Sequence, residues 1–176
     1  MCIRDRGISI QKIKELLGFD AKVVRAMPNT PAKVGEGMSV LSFCAPCMEE
    51  DYEIAESLFC SVGKVKRIDE TKMNEIIAIT GSSPAYVYYL IDLMAKKAAE
   101  YGFTYEDGAN LAAQAVLGSA KMVLVEEEGP DILKARVCSK GGTTLAALEK
   151  LEDGRVASAL SDAMDACVKR AYELGK

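Results

Sequence analysis

The segment Val137-Cys138-Ser139-Lys140-Gly141-Gly142-Thr143-Thr144 sets three hydroxyl side chains around a glycine pair, directly ahead of a helical stretch from Leu145 to Leu151. A glycine turn that opens a helix presents unpaired backbone N–H groups and the positive end of the helix dipole. Ser139, Thr143 and Thr144 add hydroxyl donors without bulk, and the whole suits a small carboxylate. An ordinary helix cap is the plain alternative, and on the local pattern the commoner one. A second segment, Arg25-Ala26-Met27-Pro28-Asn29-Thr30-Pro31, falls at the carboxyl end of an expected strand, where open α/β sheets bind ligands. It serves equally well as a rigid connector. Thr80-Gly81-Ser82-Ser83-Pro84-Ala85-Tyr86 opens an apolar helix, and its simplest role is a tight entry to that helix.

Cys44-Ala45-Pro46-Cys47 has the spacing of a thiol–disulfide pair. Zinc would need two further ligands, and the chain has no histidine to supply them. No metal is expected, and the favoured reading of the cysteines is a chance pair in a surface loop. The absence of histidine also excludes Ser-His and Cys-His nucleophile pairs. Chemistry is left to carboxylates, lysines, hydroxyls, thiols or a cofactor. The run Glu126-Glu127-Glu128 sits at a helix end that disfavours negative charge, and reads as a solvated face.

The elements that must hold these groups follow from periodicity. Apolar residues at Ile10, Ile13, Leu16 and Leu17 mark a helix from Ile8 that Gly18 closes. Strands are predicted over Ala21 to Ala26, Met38 to Phe43 and Lys64 to Ile68, with a helix from Met48 to about Val62. This is the α/β alternation at the tail of a doubly wound, Rossmann-type sheet. After Asp69 everything reads as helix, with breaks at Gly81 to Pro84, Gly102 to Thr104, Gly129 to Pro130 and Ser139 to Gly142. Ser83 is expected as an N-cap with Pro84 in the first turn, and the apolar run behind it as a buried central helix. Thr104 and Asp107 suggest a capping box. The next helix carries the small residues Ala112, Ala113, Ala115, Gly118 and Ala120, and a last helix runs from about Gly154 to Leu174. The fold is thus an α/β remnant over residues 1–69 followed by an all-α domain over residues 70–176. Residues 1–6, MCIRDR, fit the helical pattern poorly and read as a non-native start.

Composition bounds the function. With 49% apolar and 27% charged residues the 176-residue chain belongs with globular proteins. A net charge of -4 with scattered lysines offers no stripe for nucleic acid. The richest apolar stretch, Ala85 to Met94, contains Asp92 and falls short of about eighteen residues, so no membrane span is expected. There is no signal peptide pattern, and the six cysteines are expected as reduced thiols in the cytoplasm.

Taken together and in order, these segments resemble the pyrroline-5-carboxylate reductase family from Ile8 to Leu174. Val24 to Ala32 followed by Gly35-Glu36-Gly37-Met38 is similar to the family's last cofactor-side strand and loop, Gly81 to Tyr86 to its helix-opening motif, and Gln114 to Met122 to its next helix. Val137 to Glu152 is similar to the family signature with its Gly-Gly-x-Thr core. The resemblance implies NAD(P)H-dependent reduction of 1-pyrroline-5-carboxylate to L-proline, by hydride transfer to the C=N carbon. It implies that Val137, Ser139, Gly141, Gly142, Thr143 and Thr144 bind substrate, that Thr144 lies nearest the imine nitrogen as the catalytic residue, and that Met27, Pro28 and Asn29 border the nicotinamide of NADP or NAD. It also implies a homodimer or larger homo-oligomer through the helical domain. Lys140 stands where many members have proline, and Ser83 where glycine is usual. No G-x-G-x-x-G follows a strand here, so the chain by itself is expected to be inactive, its Rossmann half largely missing. A hydroxyacid-type dehydrogenase would place asparagine three residues after a catalytic lysine, whereas Lys72 is followed there by Glu75, with Asn74 one place early. A non-catalytic dimerisation fragment is the alternative from outside the enzymes.

Overall fold

The structure, a computed structural model, describes residues 8–175, so the reading of residues 1–6 as a non-native start lies outside the described residues. Among the described residues the chain forms eight α-helices and three strands. The described residues divide into two compact units, residues 8–85 with 162–175, and residues 86–161. Both cuts fall inside helices.

In the first unit, α1 (Ile10–Leu17) is capped by the Ser9 hydroxyl, which accepts from the Lys12 N–H, and is closed at Gly18. The strands β1 (Val24–Met27), β2 (Gly37–Phe43) and β3 (Gly63–Arg67) form one sheet in that order. β2 is central and free of charge: Val40 and Leu41 are buried, as are the small polar residues Ser39 and Ser42. A strand covered on both faces needs such a continuous run, because neither face can carry charge. The helix α2 (Glu49–Cys60) returns the chain from β2 to a parallel β3, the unit expected of a doubly wound sheet. β1 and β2, by contrast, are antiparallel, with Val24 opposite Phe43 and Met27 opposite Val40. Residues 28–36 between them hold only a 3-10 turn, Thr30–Val34, and are too short for the crossover that parallel neighbours require.

Beyond β3 the chain passes through a 3-10 turn and α3 (Met73–Ile76) into a widened π-turn over Ile77–Gly81, and on into α4 (Ser83–Glu100). The break expected at Gly81 to Pro84 is therefore absent, and Ser83 is not an N-cap: its hydroxyl donates back to the Ile79 carbonyl from within the helical run. The cause is Pro84. Having no N–H, it cannot bond the Thr80 carbonyl, and the helix absorbs the loss by letting the Ser82 N–H reach back to Ile77 O at 2.8 Å.

The second unit holds most of α4, α5 (Tyr105–Val125), α6 (Pro130–Arg136), α7 (Thr143–Asp153) and the start of α8 (Val156–Leu174), which ends in the first unit. Half of the expected capping box forms. The Asp107 N–H donates to Thr104 Oγ1 at 3.0 Å, but the Asp107 carboxylate takes the Thr104 hydroxyl rather than its N–H. Helices α4 and α5 approach at Gly108, where a Cβ would sit 2.7 Å from that of Ala98, rather than at Gly118 further along. Nor is α4 a buried helix within one chain: Tyr89 is 65% and Leu90 50% exposed. By length and composition alone, Glu70–Glu100 and Tyr105–Val125 would each suffice to cross a membrane, although no run of purely apolar residues is that long. Helices built to pack against a partner share that composition.

Candidate functional site

One half of the sequence-derived site, Met27, Pro28 and Asn29, comes together in the first unit, where β1 ends. The structure gives Asn29 two tasks. Its Oδ1 accepts from the Met38 N–H at 2.9 Å, which fixes the loop to the start of β2, and its Nδ2 donates to the Thr80 carbonyl at 3.0 Å. That carbonyl is the one Pro84 leaves without a helical partner. A proline in one segment thus creates the acceptor that holds another segment in place. Sequence reading set Asn29 in this loop but missed Thr80 and Met38 as its partners. The signal was available, since the carbonyl four residues before a helical proline is always short of a donor.

Oδ1 and one of the two Nδ2 hydrogens are engaged, so the protein holds the Asn29 amide from both sides and leaves one N–H uncommitted by these two bonds. Met27 and Pro28 are half-buried at the carboxyl end of β1, and the Met27 sulfur lies 3.8 Å from where a Cβ on Gly81 would sit. Beside the strand, Arg25 Nη1 pairs with Glu70 Oε1 at 3.0 Å, and the same oxygen accepts from the Ile10 N–H at 2.8 Å. This pins the strand to the N-terminus of α1.

The other half lies in the second unit. After α6 ends, Ser139 to Gly142 form a turn closed by the Gly142 N–H on the Ser139 carbonyl at 2.9 Å. Gly141, at φ 71°, occupies the left-handed position that the turn requires at its third residue. Lys140 is exposed at the second, the position where proline would preset the backbone. The turn delivers Gly142 as the N-cap of α7, with no side-chain cap and no acidic residue in the first turn. The N–H groups of Thr143, Thr144 and Leu145 have no helical acceptor and no built-in anion. A Cβ on Gly142 would lie 2.3 Å from Ser139 Oγ, so the serine hydroxyl fills the place a side chain would take. Thr144 is half-buried, while Val137, Ser139, Gly141 and Thr143 are exposed. Next to the loop, α5 and α6 enclose a cleft of 350 Å³ lined by Met122, Val123, Leu133, Lys134 and Val137.

The C-x-x-C pair falls outside both halves, after β2. Cys44 is exposed, but Cys47 is buried and its thiol donates to the Val23 carbonyl at 3.3 Å, so it is not a loose surface residue.

A family model described as pyrroline-5-carboxylate reductase dimerisation matches residues 70–174. A pyrroline-5-carboxylate reductase of Escherichia coli is 39% identical over 170 residues, which are 97% of this chain and 63% of that protein. One from Arabidopsis thaliana is also 39% identical, over 97% of this chain and 61% of its own length. Among solved structures, a Plasmodium falciparum pyrroline carboxylate reductase with NADP bound superposes with a TM-score of 0.90 at 31% identity, covering 97% of this chain and 68% of its own. A Coxiella burnetii pyrroline-5-carboxylate reductase gives 0.91 at 36%, covering 97% and 63%. The chain spans a little under two thirds of the curated relatives it matches.

Proposed function

The chain belongs to the pyrroline-5-carboxylate reductase family, and from that premise we propose that it carries the substrate loop and dimerisation helices of an enzyme reducing 1-pyrroline-5-carboxylate to L-proline with NADPH or NADH. The observation that carries this reading is the loop from Ser139 to Thr144, a glycine turn that delivers an uncapped helix N-terminus inside the matched region. In this reading the free N–H groups of Thr143 and Thr144 and the Ser139 hydroxyl hold the substrate carboxylate, and the glycines leave room for the ring. The Thr144 hydroxyl donates to the ring nitrogen as its lone pair develops. Such a bond strengthens along the reaction and so lowers the barrier.

A bound dihydronicotinamide supplies the hydride. The apolar edge of Met27 and Pro28 fits the nicotinamide end of such a cofactor, with Asn29 fixing the loop behind it; no phosphate-binding glycine turn follows a strand in this sequence to hold the other end. Because a protonated imine is already electrophilic, orientation and one hydroxyl suffice, which agrees with a chain that contains no histidine. We further place the boundary between cofactor-side and helical domains at residues 69 and 70, and read the protein as a cytoplasmic homo-oligomer that binds neither nucleic acid nor membrane. The missing phosphate turn favours a second reading, a dimerisation fragment without activity of its own. Titrating L-proline, the product, into the labelled chain separates the two. Saturable shifts of the Gly141, Thr143 and Thr144 amides are expected, and amides that do not move at saturating proline would contradict the loop's assignment.

A further inference from the structure

Four features of the Cys44 and Cys47 turn go beyond what a chance pair needs. The turn is closed by the Cys47 N–H on the Cys44 carbonyl at 3.1 Å, and a β-turn keeps its end Cα atoms within about 7 Å, close to the span of a disulfide. One thiol, Cys44, is exposed, while the other, Cys47, is 6% exposed and held by the Val23 carbonyl. The Lys14 ammonium, on a side chain only 11% exposed, donates to the Ala45 carbonyl inside the turn and is anchored by Asp20 at 2.7 Å. Asp20 keeps that ammonium charged above its usual range, and Cys44 acts in the same direction. Lys22, paired with Asp51 at 2.8 Å, stands in the same relation to Cys47. Each sulfur therefore has a lysine ammonium nearby.

We propose that Cys44 and Cys47 form a redox-active dithiol that hydrogen peroxide converts to an intramolecular disulfide, with Cys44 as the attacking and Cys47 as the resolving thiol. The Cys44 thiolate attacks one peroxide oxygen. A sulfur–oxygen bond forms, the oxygen–oxygen bond breaks, and the departing hydroxide takes up the proton Cys44 released, leaving as water. The Cys47 sulfur then attacks the Cys44 sulfenic acid: the sulfur–sulfur bond forms, the sulfur–oxygen bond breaks, and the second water carries away the Cys47 proton. Two thiols lose two electrons and two protons, and one peroxide becomes two waters. Closing the bond takes the Cys47 sulfur from the Val23 carbonyl, so oxidation releases the tie at the entry to β1. This reaction is separate from imine reduction and does not rest on that reading.

The chain itself, reduced, is exposed to peroxide in small excess, quenched with iodoacetamide and cleaved after glutamate. Cuts at Glu36 and Glu49 isolate both cysteines from Cys60. The expected product is a peptide about 2 Da lighter than its reduced, unalkylated form, restored by dithiothreitol. Cys47→Ser should halt at a sulfenic acid trapped by dimedone on Cys44, and Lys14→Met, which removes the donor to the Ala45 carbonyl inside the turn, should slow disulfide closure about two- to tenfold. A wild-type peptide that stays fully alkylated while Cys60, Cys138 or Cys167 is oxidised overturns the proposal. So does trapping of the sulfenic acid on Cys47 rather than Cys44.

Discussion

On the proposed reading, Thr144, the second residue of α7, carries the hydroxyl that assists imine reduction. In a version extended to include a dinucleotide-binding half, Thr144→Val keeps the shape and removes the donor. It should lower kcat/KM by about ten- to a thousandfold, the effect of roughly 1.5 to 4 kcal/mol of transition-state hydrogen bonding, with cofactor KM nearly unchanged. Under reducing conditions the Cys44→Ser, Cys47→Ser double variant should hold the rate within about twofold. Asn29→Ala should destabilise the chain to urea by about 1 to 3 kcal/mol, because the Met38 N–H and Thr80 carbonyl are both left short of a partner. Motif order placed Asn29 in the loop after β1, but not the use of its amide. That depends on a proline more than fifty positions away, and only the fold brings the two together. Ser139 and the glycines were easier to read, since a turn and the helix it opens are adjacent in sequence.

At the scale of elements, the end of α8 is joined to α3 by the Tyr172 hydroxyl, which donates to Glu75 Oε1 at 2.7 Å. The bond holds the Glu75 carboxyl below its usual range and pushes the Tyr172 hydroxyl up. For Glu75 the stabilisation is fully present above the unfolded carboxyl range near pH 4.5 and is lost as pH falls through the lower folded value. For Tyr172 it is present below about pH 10 and is lost as pH rises through the higher folded value. Tyr172→Phe should therefore flatten thermal stability against pH at both ends and leave the variant and the wild type more alike below pH 4 than at pH 7; a constant offset across the range would count against this linkage. Strand and helix types were legible from periodicity, as β2 and α2 illustrate. The π-turn was not, because a serine followed by proline is also the pattern of a helix start, and only the path of the chain before Gly81 separates the two. The antiparallel pairing of β1 with β2 was equally hidden, since an alternating α/β pattern says nothing of strand direction.

For the whole molecule, the apolar surface left open on α4 and α5, from Tyr88 and Tyr89 through Leu117 to Leu124, is more than a stable monomer exposes. Light scattering at micromolar concentration should find a dimer or larger species, and a well-folded monomer would show that these helices need no partner. The sequence showed the apolar run from Ala85 to Met94 both as a buried central helix and as apolar on more faces than one small helical domain covers, and the structure leaves much of it open within one chain. Nicotinamide absorbance followed with 1-pyrroline-5-carboxylate and NADPH, for this chain and for the extended version side by side, puts the proposed activity to trial. Proline-forming turnover is expected of the extended version and none of this chain alone. An extended protein that folds, assembles and leaves the imine untouched would contradict that expectation.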